Sequence, residues 1–154
     1  VQLADSRDVA TFDSLPKARL VVTSPPYYGM RTYLPDQWLR HWFLGGPEHV
    51  EYTQPRTQLE HTGARHFARE LGRVWRNLSS RVTSDARLII RFGGIHDREA
   101  DPLSVLRESL RETAWQIVSA DPVPDSDTGR RQVHQFQATP KAARTEFDVH
   151  CHLG

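Results

Sequence analysis

The chain has 154 residues, enough for one modest domain with a single buried core but not comfortably for two. Its 20 Lys and Arg residues and 19 Asp and Glu residues leave a formal net charge of +1, which excludes a global field that draws the molecule to nucleic acid or an anionic membrane. Hydrophobic content of 38% and charged content of 25% exclude disordered and fibrous classes. Any polyanion site must therefore be a local patch.

The apolar runs and the cysteine content indicate the cellular setting. The longest apolar runs, residues 20–22 and 88–90, are strand-sized and far shorter than a bilayer span. No signal-peptide pattern opens the sequence. Cys151 is the single cysteine, so an internal disulfide framework is excluded. These features predict a cytoplasmic protein with no membrane partner.

Taken in chain order, the first elements alternate between strand and helix. Residues 18–24 form a short β-branched run that stops at a double proline, a pattern typical of a strand buried on both faces of a parallel sheet. Apolar residues at helical spacing predict an amphipathic helix over residues 65–82, with its arginines turned largely outward. A second buried strand is predicted over residues 87–92, ending at Gly93 and Gly94.

The later elements continue the alternation. Asp101 before Pro102 is an N-cap followed by proline at the first helical position, and predicts a helix to about residue 114. Strands are predicted over residues 115–120, 132–138 and 146–153. This order predicts an α/β fold with a Rossmann-like, mainly parallel sheet that ends in an antiparallel hairpin. Ligands of such sheets gather at the carboxyl ends of the strands.

Residues 24–27, Ser24-Pro25-Pro26-Tyr27, follow the first strand directly and carry the most chemical information. An exocyclic amine on a planar base has its lone pair delocalised into the ring, so its reaction needs two acceptors that hold the N–H bonds. The Ser24 side chain and the Pro25 carbonyl can supply them, while Pro26 keeps the turn rigid. Tyr27 can stack on a base swung out of a duplex. The alternative is a plain surface turn that ends the strand.

The segment T-S-P-P-Y-Y-G at residues 23–29, preceded by an apolar strand and by A-D-S-R-D at residues 4–8, resembles motif IV of the DNA amino-methyltransferases. The Ser-Pro-Pro-Tyr form is most typical of cytosine-N4 enzymes and of some adenine-N6 enzymes of the same permuted class. The resemblance implies a class I methyltransferase fold, S-adenosylmethionine as cofactor, and double-stranded DNA with a flipped cytosine or adenine as substrate, in a restriction-modification system. Serine in place of aspartate at the head of the motif favours cytosine.

The resemblance assigns Ser24, Pro25, Pro26 and Tyr27 to the target-amine pocket, and Asp5 to the neighbourhood of the cofactor or base. The family binds its cofactor through a Phe-x-Gly-x-Gly motif, and neither F-L-G-G at residues 43–46 nor F-G-G at residues 92–94 has that spacing. In the permuted class this motif lies downstream of motif IV. We therefore expect residues 1–154 to be the target-base half of a catalytic domain.

Two other arrangements fit the same residues. The cofactor half can belong to a second chain, as in a split enzyme. Alternatively, the chain is a non-catalytic DNA- or partner-binding module that keeps the methyltransferase fold. A Phe-x-Gly-x-Gly segment in the neighbouring coding sequence favours an enzyme, and its absence favours a binding module.

The remaining polar candidates are arginines and histidines. Arg31, in a stretch rich in aromatic residues, and Arg130 and Arg131, in a polar loop, are predicted to contact DNA phosphates. The arginines at positions 65, 69, 73 and 76 are predicted to form a solvated helix face, because Glu60 and Glu70 are interspersed with them. Alternation places His150 and His152 on one face of the last strand, but no second ligand cluster is near in sequence, so no metal site is predicted.

Overall fold

The computed structural model describes residues 4–29, 38–39, 42–46, 48–49, 59, 63–94, 100–123 and 146–154. A 3-10 turn at Val9–Phe12 precedes the main elements. These are strand β1 (Ala18–Thr23), helix α1 (Ala64–Ser79), strand β2 (Val82–Gly93), helix α2 (Pro102–Leu110), strand β3 (Trp115–Pro122) and strand β4 (Glu146–Leu153). The strand predicted at residues 132–138 lies outside the described residues.

The four strands form one mixed sheet in the order β1-β2-β4-β3. Strand β1 pairs in parallel with β2, and β4 pairs antiparallel with both β2 and β3. Strands β1, β2 and β3 therefore run in one direction and β4 runs against them, which confirms the predicted α/β class with antiparallel pairing near the chain end. Because β4 lies between β2 and β3, its two ladders join the second and third strands of the chain.

Helix α1 packs its apolar stripe on one face of this sheet. Phe67, Leu71 and Trp75 recur every four residues and are all buried. They meet the sheet residues that are most deeply buried: Leu88, Ile90, Phe92 and Val149. The predicted arginine face is confirmed as exposed: Arg65, Arg69, Arg73 and Arg76. The helix ends at Ser79, three residues earlier than predicted, because Ser80 and Arg81 form a turn and Val82 begins β2.

Helix α2 packs beside α1 on the same face and begins as its sequence predicts. The Asp101 side chain accepts a hydrogen bond from the backbone N–H of Ser104 at 2.8 Å, and Pro102 occupies the first turn, where its missing N–H is not needed. Leu106 and Leu110 face the core. The helix ends at Leu110, earlier than predicted, and β3 then runs two residues further than predicted.

The two helices approach closely where Gly72 faces Ser109. A Cβ atom at Gly72 would lie 2.8 Å from the backbone oxygen of Ser109. Beside this contact the indole N–H of Trp75 donates to the Ser109 hydroxyl at 3.0 Å, and that hydroxyl donates to the Leu106 carbonyl at 2.7 Å. The buried polar groups at the junction are thereby satisfied, and glycine is required for the approach.

The opposite face of the sheet is open, and the prediction that β1 is buried on both faces is wrong. Leu20 and Val22 on β1 are 56% and 68% exposed, and Val118 on β3 is 68% exposed. The reason is that both helices lie on one face, and no element in the described part of the chain covers the other. We call the exposed side of the sheet that carries Leu20, Val22 and Val118 the open face.

We predict that Gly72→Ala lowers the free energy of unfolding by about 1–3 kcal/mol, because the new methyl group forces the helices apart. This loss exceeds the gain of at most about 1 kcal/mol from alanine's higher helix propensity. Urea unfolding followed by circular dichroism measures the change. The control is Gly63→Ser, since a Cβ atom there meets nothing within 4 Å. Equal stability of both variants would contradict the close-packing interpretation.

Candidate functional site

The Ser-Pro-Pro-Tyr turn (residues 24–27) leaves β1 at the carboxyl edge of the sheet. Pro25 and Pro26 have no N–H to donate, so the ladder with β2 stops before them. Thr23 pairs with Ile90, which places the turn beside the last residues of β2. A Cβ atom at Gly93 would come within 3.2 Å of the Tyr27 ring. The structure thus brings together the two segments that the sequence predicts at strand ends.

Tyr27 is fixed at both ends of its side chain. Its ring meets Phe92 edge to face, with the ring centroids 5.6 Å apart. Its hydroxyl donates a hydrogen bond to a carboxylate oxygen of Glu146 at 2.9 Å. Glu146 is the first residue of β4 and pairs with Gly93. The turn is therefore tied to the start of a strand that lies 119 residues further along the chain.

Gly93 is required by this arrangement. A Cβ atom there would lie 2.9 Å from Cγ of Glu146 as well as 3.2 Å from the Tyr27 ring. A side chain at this position would displace both partners of the hydrogen bond. The sequence identifies Gly93 as a strand end but gives no signal for Glu146, because only the strand register places that carboxylate beside the turn.

The environment of Tyr27 raises the pKa of its hydroxyl to about 12. Burial is the largest cause, and the hydrogen bond and negative charge of Glu146 add to it. A hydrogen bond from the Ser24 side chain acts in the opposite direction. The Tyr27 hydroxyl therefore stays protonated at neutral pH, and its proton is donated to Glu146. Within the turn, Ser24 is exposed and Pro25 is buried.

The next pair on the same face of β2 and β4 is an ion pair between Arg91 and Asp148. The Arg91 guanidinium donates through Nε to one oxygen of Asp148 at 2.9 Å and through Nη2 to the other at 2.8 Å. The guanidinium therefore binds the carboxylate through two hydrogen bonds, and this bidentate geometry is the strongest one for an arginine and a carboxylate. The hydrogen bond from Arg91 lowers the pKa of Asp148. Arg91 and Asp148 are thus paired with each other, and Asp148 lies two residues from Glu146 on β4.

Asp5 lies beside helix α1. Both of its carboxylate oxygens accept hydrogen bonds from the Arg7 guanidinium, the shortest at 2.7 Å, and this lowers the pKa of Asp5. Arg7 also donates to Glu70 on α1 at 2.9 Å, and its backbone carbonyl accepts from Asn77 at 2.9 Å. Asp5 therefore helps to anchor the segment before β1 to the helix. Its predicted place near the cofactor remains a prediction.

Other predicted site residues fall in different places. Arg31, Arg130 and Arg131 lie outside the described residues. His150 and His152 are both exposed on one face of β4, as alternation predicts, and Cys151 between them is buried. In the described part of the chain no three His, Cys, Asp or Glu side chains form a group able to hold a metal ion.

No helix among the described residues has the length and apolar character needed to cross a membrane.

The fold is shared with the solved structure of a candidate DNA modification methylase. TTHA0409 of Thermus thermophilus, a candidate DNA modification methylase, matches 98% of this chain with a TM-score of 0.50 and 18% identity. The complex of M1.HpyAVI with SAM matches 97% of the chain with a TM-score of 0.45 and 13% identity. The chain spans 52% and 50% of those two structures, about half of each. No protein-family model matches the chain, and a search of the curated proteins finds no match.

The match to TTHA0409 shows that the chain has a methyltransferase-like fold over about half the length of that protein. The described sheet, with both helices on one face, belongs to the part of the fold that the chain shares with TTHA0409. The Ser-Pro-Pro-Tyr turn lies at the carboxyl edge of that sheet, where α/β sheets bind their ligands.

We predict that Tyr27 makes the fold less stable in alkali. The pKa of its hydroxyl is 10.0 when unperturbed and about 12 in the folded chain. The contribution of this shift to the free energy of unfolding is therefore complete below pH 10 and is lost as the pH rises through 12. Tyr27→Phe should flatten the fall in the urea midpoint between those pH values. Both proteins carry Cys151→Ala, because burial also raises the pKa of that thiol to about 11. An identical pH dependence in both would contradict the prediction.

Proposed function

We propose that this chain forms the target-base side of a DNA methyltransferase that uses S-adenosylmethionine. The acceptor is the exocyclic amine of a flipped cytosine, at N4, or adenine, at N6. One observation carries the proposal: the Ser-Pro-Pro-Tyr turn leaves β1 at the carboxyl edge of a methyltransferase-like sheet. The same turn, read from the sequence alone, supplies the acceptors that such an amine requires.

The chemistry assigned to the turn is the positioning of a weak nucleophile. The Ser24 oxygen and the Pro25 carbonyl each accept one N–H of the target amine, which draws the nitrogen toward a tetrahedral geometry and makes its lone pair available. The two prolines hold both acceptors in place before the base arrives, so little reorganisation is needed. The bound cofactor supplies the electrophilic methyl group.

The described residues do not fit a complete cofactor site. The glycine motif that the family uses is missing from residues 43–46 and 92–94, and both carboxylate oxygens of Asp5 are bound by Arg7. We therefore assign the target-base side of the reaction to this chain. The cofactor side belongs, in this proposal, to a further segment or to a second chain.

The open face supports that assignment. Leu20, Val22 and Val118 leave a large part of their apolar surface in water, and β1 is an edge strand whose outer side is unpaired in the described part of the chain. A continuous apolar strand of this kind is typical of a sheet covered on both faces. The matched methylase structure is about twice as long as this chain. We propose that the cofactor half extends the sheet beyond β1 and covers the open face.

A binding module with no methyl transfer is the second candidate. It is favoured by the same missing cofactor motif and by the engagement of Asp5 with Arg7. A module of this kind keeps its affinity for DNA but produces no methylated base when it is combined with any partner. A measurement of the methylated product therefore distinguishes the two candidates, whereas a measurement of DNA binding does not.

We predict that Ser24→Ala lowers methyl transfer by about 100- to 1000-fold, the usual effect of removing one positioned hydrogen-bonding group at a reacting centre. Tritium transfer from labelled S-adenosylmethionine by the complete enzyme, with its cofactor half present, measures turnover, and mass spectrometry of the nucleosides distinguishes N4-methylcytosine from N6-methyladenine. Ser14→Ala, in an exposed turn, is the matched control. Unchanged turnover in Ser24→Ala would contradict the assignment, and a wild type without any methylated product would favour the binding module.

We also predict that residues 1–154 alone bind S-adenosylmethionine only weakly, with a dissociation constant above about 1 mM, equivalent to less than about 4 kcal/mol. Isothermal titration calorimetry measures this affinity. The reason is that neither residues 43–46 nor residues 92–94 have the glycine spacing of the cofactor motif, and that Arg7 binds both carboxylate oxygens of Asp5. Tight binding at one site per chain would show that the cofactor half is not needed.

A further inference from the structure

A groove rich in arginine lies between helices α1 and α2. It holds a cavity of about 160 Å³, and its lining includes Gly72 and Ser109, where the two helices approach closely. The Arg76 guanidinium lies over this point, with Nη1 3.6 Å from the position that a Cβ atom at Gly72 would take. The charged side chains that line the groove are Arg65, Arg69, Arg76, Glu108, Arg111 and Glu112. We call this surface the helix groove.

Helix α1 carries its arginines as one continuous stripe. The spacings between them are four, four and three residues, which places them on one side of the helix: Arg65, Arg69, Arg73 and Arg76. All four residues are exposed. At about 1.5 Å of rise per residue the stripe is about 16 Å long. It can therefore meet several charges of an extended polyanion at once.

The arginines of this stripe differ from other arginines of the chain in their charge balance. Four arginines elsewhere each contact a carboxylate: Arg7, Arg19, Arg81 and Arg91. None of the arginines on α1 forms an ion pair with a residue that the structure describes. The one acidic residue of α1, Glu70, is bound by Arg7 at 2.9 Å. The positive charge of the stripe is therefore not balanced by the described part of the chain.

The α2 side of the helix groove adds charge of both signs. Arg111 contacts Glu108 at 3.4 Å, but the two side chains are 73% and 46% exposed, so water screens this pair and it is weak. Four arginines and two glutamates give the groove a net charge of +2, whereas the whole chain has +1. The remainder of the chain is therefore slightly acidic, and the helix groove is a local basic patch of the kind that a near-neutral chain needs to bind a polyanion.

The arginine stripe begins beside the Ser-Pro-Pro-Tyr turn. Tyr28 follows that turn and meets Phe67 in the first turn of α1, with the ring centroids 5.5 Å apart. Helix α1 then runs away from the carboxyl edge of the sheet, because it ends at Ser79 and β2 returns to that edge from Val82 to Gly93. The first two arginines of the stripe are therefore the ones nearest to the turn.

We propose that the helix groove binds backbone phosphates of the DNA duplex beside the target base. The planar fork of an arginine matches a phosphate with two hydrogen bonds, and a duplex presents its negative charges at short, regular intervals. An acidic protein surface is the other polyanion that fits this charge, and the position of the stripe beside the turn favours DNA. The assignment rests on the proposed function for the identity of the polyanion. Contacts of this kind do not depend on base sequence.

The test is fluorescence anisotropy of residues 1–154 with a labelled duplex of random sequence, at about 50 to 200 mM salt. The double variant Arg65→Ala/Arg69→Ala should reduce the slope of log affinity against log salt concentration by about 1.8, since each lost phosphate contact removes about 0.9. The matched control is Arg19→Ala/Arg87→Ala, which removes the same charge from exposed positions on β1 and β2. The control should keep the wild-type slope.

A variant of the opposite sign tests the groove without loss of an arginine. Glu112→Gln should raise the affinity for the duplex about three- to fivefold, because it removes a negative charge from the lining of the groove. Asp85→Asn removes a negative charge from β2, outside the groove, and should leave the affinity unchanged. Circular dichroism confirms that each variant folds before its affinity is compared.

Four results would overturn the assignment. The wild type does not bind the duplex, or the arginine double variant keeps the wild-type slope. The strand control loses as much slope as the arginine variant, which shows an effect of net charge alone. Polyglutamate of equal charge binds the wild type as tightly as the duplex does and loses affinity in Arg65→Ala/Arg69→Ala, which assigns the helix groove to an acidic protein.

A separate measurement of the methylated product distinguishes this assignment from the proposed function. If the duplex binds through the arginines but the complete enzyme forms no methylated base, methyl transfer is contradicted and the helix groove remains a DNA site. If the complete enzyme methylates DNA but the arginine variant binds the duplex like the wild type, the proposed function remains and the role of the groove is contradicted.

Discussion

The antiparallel insertion of β4 between β2 and β3 is the constraint on which the site depends. Its ladder with β2 places Glu146 opposite Gly93 and Asp148 opposite Arg91. The parallel pairing of β1 with β2 brings the Ser-Pro-Pro-Tyr turn to the same edge. A shift of β4 by one residue would turn its buried side chains to the other face and move the Glu146 carboxylate away from Tyr27. The register therefore decides both the core and the site.

The second organising feature is that the sheet is covered on one face only. Helices α1 and α2 bury one set of alternating strand residues, while Leu20, Val22 and Val118 remain in water. Their exposure follows from geometry, because side chains of a strand alternate and the described helices lie on one side. The open face and the missing glycine motif suggest the same conclusion independently. This chain supplies, in the function proposed for it, the base-handling part of a reaction whose cofactor is held elsewhere.

Local patterns predicted much of the fold. Residues 146–153 alternate in the sequence and form β4 with those bounds. The Asp101 cap and the spacing of apolar residues in α1 likewise predicted helices that are present. Their ends were less predictable, because the turn at Ser80 and Arg81 depends on where β2 pairs with its neighbours. The prediction that β1 is buried on both faces was wrong. An apolar run shows that a strand can be buried, but it does not show which elements of the chain cover it.

The sequence by itself determined the turn, because two adjacent prolines end a strand through their own covalent geometry, and it placed a serine and a tyrosine beside them. It also determined the apolar faces of the helices, because helical periodicity is a local property. Only the tertiary structure decided that Glu146 reaches Tyr27 and that Gly93 makes room for both. These contacts join residues far apart in the chain, and strand order and register, which no local pattern encodes, bring them together.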